Sequence, residues 1–119
     1  MLPTDEETAA LRAIIRIVSP VQAQYASAPA PVRLVKLSLM HEFRLDRWKL
    51  DEFLFGLQHA LTDSQTYPFY FSKCGAYAAN RLHYISTAKR YEASTFSNSY
   101  CYISIDKRNQ WVKRILGNQ

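Results

Sequence analysis

Residues 32–61, VRLVKLSLMHEF-RLD-RWKLDEFLFGLQHAL, decide how this chain folds. Val32, Val35, Leu39, Met40 and Phe43 recur as one face of a helix, although the alternation Val32-Leu34 and then Leu37-Leu39 also suits strands. Asp46 is placed to accept from the free backbone N–H groups of a second helix, Arg47 to Leu61. Leu50, Phe53, Leu54, Leu57 and Leu61 form its apolar stripe. Only Arg44-Leu45-Asp46 separates the two segments, the spacing of a helix-turn-helix.

Upstream, Thr4 and Glu7 are spaced to bond each other's backbone amides at the start of a helix over residues 4–18. Asp5, Glu6 and Glu7 suit the positive end of its dipole, and Leu11, Ile14, Ile15 and Val18 recur with helical period. Ser19-Pro20 is expected to stop it, leaving residues 19–31 as a Pro/Ala connector into a main body of residues 32–119.

Downstream, the aromatic run Tyr67–Phe71 reads as a strand, and so does Tyr100–Ile105. Tyr70, Tyr77, Tyr84 and Tyr91 fall seven apart, which favours a helix over residues 75–91. Asp106 can cap a last helix that carries Trp111, Val112, Ile115 and Leu116 on one face and ends at Gly117. In this reading Arg108 lies on the apolar side and stacks on Trp111 or covers the core edge with its methylene stem. The expected fold is a single α+β domain over residues 1–119, with four or five helices and a small antiparallel sheet. Two adjacent helices followed by strands suggest a winged helix as the specific topology.

Composition bounds the class. A chain of 119 residues that is 48% hydrophobic and 21% charged can bury a core and is unlike a disordered segment. The acidic start Thr4-Asp5-Glu6-Glu7 is not that of a secretory signal, and the uncharged run Ile17–Val32 contains three prolines, so it makes no membrane-spanning helix. Cys74 and Cys101 are too few for a disulfide framework. These features point to a cytoplasmic protein without a membrane partner.

Charge is uneven along the chain. Residues 1–63 carry 7 basic and 8 acidic side chains, whereas residues 64–119 carry 8 basic and 2 acidic, a net −1 against +6. Clustered cations attract phosphates by releasing counterions, and exposed tyrosines can stack on unpaired bases. Arg81, Lys89, Arg90, Lys107, Lys113 and Arg114 are therefore candidate phosphate contacts in the second half, joined by Arg44, Arg47 and Lys49 at the start of the second core helix. The leading expectation is a small non-enzymatic regulatory protein that docks on nucleic acid or a nucleoprotein.

A protein adaptor is the alternative. Trp48, Glu52, Phe55 and His59 make a second stripe on the Arg47–Leu61 helix, and Trp48, Phe55 and His59 could anchor a partner, while the basic half could meet an acidic protein surface. Trp48, Asp51, Glu52 and Phe55 are expected to point outward, and the two carboxylates make that face a poor reader of DNA bases. No cofactor, metal site or catalytic residue is expected: Cys74, His83 and Cys101 lack the close spacing of metal ligands, and no phosphate-binding loop or nucleophile elbow occurs.

Overall fold

The computed structural model describes residues 2–24, 29–64, 66–73 and 100–117, without the side chains of Trp48, Lys73, Tyr100 and Cys101. The helix expected over residues 75–91 lies outside the described residues, as do Tyr77, Tyr84 and Tyr91. In chain order the elements are α1 (Asp5–Gln24), β1 (Ala30–Pro31), α2 (Val32–Phe43), α3 (Arg47–Ala60), β2 (Phe69–Lys73), β3 (Tyr100–Ile105) and α4 (Gln110–Gly117). This is an α+β fold, and the described residues form four helices and a three-stranded antiparallel sheet in the order β1-β3-β2.

α1 begins as its sequence dictates. The Thr4 amide donates to Glu7 Oε1 at 2.8 Å and the Glu7 amide donates to Thr4 Oγ1 at 3.0 Å, a closed capping box. Its end differs from expectation, because the helix continues through Ser19 and Pro20 to Gln24. Pro20 has no N–H to donate to the carbonyl one turn back, which costs about 3 kcal/mol in a helix interior. Tertiary contacts hold the turn beyond it: Val21 packs on the core, and the buried Gln22 bonds Ile105 through both amide atoms. Its Nε2 donates to the Ile105 carbonyl at 3.4 Å, and its Oε1 accepts from the Ile105 amide at 2.5 Å. The Gln22 side chain thus stands where a neighbouring strand would serve β3. The connector is correspondingly shorter than expected, and its end, Ala30–Pro31, is itself a strand, with Ala30 opposite Ile103.

β2 begins two residues later than the aromatic run suggests, and pairs Phe69 with Ile105 and Phe71 with Ile103. These four side chains are buried in one cluster with Leu11, Ile14, Ile15 and Val18 of α1, Val35 and Leu39 of α2, and Leu50 and Leu54 of α3. Tyr70, Ser72 and Ser104 take the alternate positions and are buried too, so both faces of the sheet are covered. Gln58 of α3 is fully buried, and its Nε2 donates to the Phe69 carbonyl at 2.8 Å, tying α3 to β2. α4 closes the domain by burying Val112 and Ile115.

Candidate nucleic-acid interface

α2 and α3 are fastened by local and cross-helix contacts together. Asp46 Oδ1 accepts from the Lys49 amide at 2.8 Å, the cap the sequence calls for. Lys36 Nζ lies 2.7 Å from Asp51 Oδ1, and the rings of Phe43 and Phe53 meet at 6.0 Å. The turn begins at Arg44, whose backbone is left-handed, with φ 52° and ψ 42°. A non-glycine residue there costs roughly 1–2 kcal/mol, and glycine is the usual occupant. An arginine therefore sits where backbone energetics favour no side chain at all. Arg44, Arg47 and Lys49 are all exposed, and none forms an ion pair with any described residue.

The faces of α3 differ from expectation. Asp51 is 1% exposed and Phe55 4% exposed, so neither points outward. Phe55 stacks on Phe71 with centroids 5.4 Å apart, which withdraws it as a partner anchor. His59 is half-buried, its ring edge-on to Tyr67 at 5.5 Å, and the side chain of Trp48 lies outside the description. α3 turns Asp51 and Phe53 toward Lys36 and Phe43, and Phe55 and Gln58 toward Phe71 and Phe69 of the sheet, so Phe55 of its second stripe is core while Glu52 of the same stripe is exposed. Its described exposed residues are Arg47, Lys49, Glu52, Gly56 and Ala60, with Phe53 half-buried, so beyond the first turn the surface is poor in groups that bond base edges.

Beyond its C-terminal end, α3 meets the start of α4 in a polar knot. The cap of α4 is Asn109 rather than Asp106: Asn109 Oδ1 accepts from the amides of Trp111 at 3.0 Å and Val112 at 3.2 Å. Its Nδ2 donates to the carbonyls of Leu61 at 3.0 Å and Thr66 at 3.3 Å. Asp63 accepts from the Thr66 amide at 2.7 Å through Oδ1 and from the Gln110 amide at 2.9 Å through Oδ2. Asp106 is drawn away from capping because it accepts from the Tyr70 hydroxyl at 2.6 Å and from Arg108 Nε and Nη2 at 3.0 and 2.8 Å. Burial pushes its carboxyl upward, but the hydrogen bonds from Arg108 and Tyr70 outweigh that and hold it below its ordinary value. The same pairing raises the pKa of Arg108.

Arg108 is thus committed to Asp106, and it is Arg114 whose guanidinium lies 4.8 Å from the Trp111 ring centroid. Lys107, Lys113 and Arg114 are exposed with no ion pair to a described residue. Arg114 shares a cleft with Leu61, just past the end of α3, whereas Arg44, Arg47 and Lys49 stand at its beginning. The 14 residues of α3 span about 21 Å, so these cations form two groups, not one patch. Arg81, Lys89 and Arg90 lie outside the described residues. Among the described residues, no group of three His, Cys, Asp or Glu side chains could hold a metal ion, and no helix is long and apolar enough to cross a membrane. No protein-family model, curated protein or solved structure matches the chain.

Proposed function

We propose that this chain is a small non-enzymatic protein that docks on the phosphate backbone of nucleic acid, built as a winged helix. The observation that carries the reading is the set of six exposed cations, Arg44, Arg47, Lys49, Lys107, Lys113 and Arg114, none paired with a described carboxylate. Lysines and arginines free of internal partners are the groups that exchange counterions for phosphates. The element order supports the same reading: a helix, a short strand, two helices joined by a tight turn, then two antiparallel strands with the first strand beside the last.

The mechanism is positioning more than reading. Phosphate contacts fix a protein on a duplex but carry no sequence information, and past Arg47 and Lys49 in its first turn α3 exposes Glu52, Gly56 and Ala60, which bring no amide or guanidinium to a base edge. Cation groups toward opposite ends of a helix about 21 Å long would touch separate stretches of the phosphate backbone. The test is a fluorescence-anisotropy titration of labelled duplexes of unrelated sequence between about 50 and 200 mM salt. The expected result is comparable affinity for all sequences, falling steeply and linearly on logarithmic axes as salt rises. Affinity indifferent to salt overturns the reading.

A further inference from the structure

Where the N-terminal turns of α1 meet α4, a half-open cleft of about 290 Å³ is lined by Leu11, Arg12, Leu61, Trp111, Arg114 and Ile115, together with the first residues of the chain. We propose that it binds a small planar carboxylate, an aromatic body bearing one acidic group.

The apolar part is supplied by Leu11, Leu61 and Ile115, all buried in the core, so the floor is rigid. Trp111 is half-buried beside them and adds a flat aromatic wall. Rigid apolar walls with a few converging polar groups are the general form of small-molecule sites, which run from roughly 300 to 1,000 Å³; this cleft sits at the small end. It therefore suits a one- or two-ring compound.

The sign of the ligand follows from the rim. Arg12 and Arg114 come from different helices to one opening, both are exposed, and neither pairs with a carboxylate among the described residues. Among the described residues no acidic side chain lines the cleft: Glu7 is held in the capping box with Thr4, and Asp5, two turns back from Arg12 on α1, stands outside it. Arg114 is also restrained, because its guanidinium lies over Trp111 at 4.8 Å. A restrained guanidinium is a ready fork for a carboxylate, which it can bond through two N–H groups at once. The second arginine adds a further positive charge at the same opening. A neutral aromatic would leave both cations unanswered, and a cation would be repelled.

The site does not depend on nucleic-acid binding, and its test leaves nucleic acid out. The full ¹⁵N-labelled chain is titrated with 2-naphthoate and, separately, with 2-naphthamide, its uncharged counterpart of nearly equal shape. The expected result is a saturable shift of the Trp111 indole N–H and the Ile115 amide, with naphthoate at least about tenfold tighter than the amide. R12Q and R114Q should each weaken naphthoate by about five- to tenfold and leave the amide unchanged, while R114K, which keeps charge but loses the fork, should fall between. Both arginines are exposed, so these variants keep the fold, and their circular dichroism checks this. Equal affinity for acid and amide, indifference to both glutamine variants, or no saturable shift at Trp111 overturns the proposal.

Discussion

At the C-terminal end of α3, Asp63, Thr66 and Asn109 bond one another and the free carbonyls and amides where two helices end and begin. At its N-terminal end, Arg44, Arg47 and Lys49 project into solvent, bonded to no described carboxylate. Both ends are rich in polar residues, yet only the first set satisfies the molecule's own hydrogen-bonding needs. Removing a buried, fully bonded polar group costs stability, whereas removing an exposed cation costs almost none. The comparison therefore separates residues that hold the fold from residues free to meet a partner.

The sharpest way to break that division is Asn109→Ala. It removes the cap of α4 and leaves the carbonyls of Leu61 and Thr66 without the Asn109 amide, so unfolding free energy should fall by about 2–4 kcal/mol in denaturant titrations. A loss below 0.5 kcal/mol, the scale of an ordinary surface change, would remove the structural role given to this end.

Asp106→Asn comes next, with an expected loss of about 1.5–3 kcal/mol near neutral pH, because charge-assisted bonds from Arg108 and the bond from Tyr70 are weakened together. The sign with pH is fixed by the direction of the shift. The folded carboxyl titrates below its ordinary 3.8, so its stabilisation is complete above that value and is lost as pH falls through the lower folded one. Stability of the native chain should drop in this acid range, and the Asn variant should show a shallower slope there. Parallel slopes would contradict the assignment.

Arg44→Gly is the smallest effect and has the opposite sign. Glycine adopts the left-handed turn without the Cβ penalty, so the variant should gain about 1 kcal/mol in thermal or denaturant unfolding. A destabilised variant would mean that the Arg44 side chain serves the fold.

What could be read in advance follows the range of the interactions. The Thr4–Glu7 box and the Asp46 cap were legible because each side chain bonds backbone three residues away. Asp106 and Asn109 are both competent caps by residue type, and only Tyr70, 36 residues earlier, together with Arg108 draws the aspartate aside. The same range decides the helix beyond Pro20, since the bond that holds its last turn comes from Ile105, 83 residues after Gln22. Phe55 falls on the side expected to face outward because a helix packed on two sides shows no simple stripe, and its stacking partner Phe71 belongs to a strand remote in sequence. The cations Arg44, Arg47 and Lys49 were legible individually, since charged residues flanking a tight turn rarely bury. Their separation from the α4 group needed the length and direction of α3.

The central claim is that the cations at the start of α3 serve phosphate and not the fold. It is tested by comparing the salt dependence of duplex affinity for the native chain and the combined Arg44→Gln, Arg47→Gln, Lys49→Gln variant, alongside their unfolding free energies. If each residue meets one phosphate, the logarithmic slope should flatten by about 2.7, with stability changed by no more than about 0.5 kcal/mol per site. An unchanged slope, or a variant that binds normally but unfolds easily, would contradict the account.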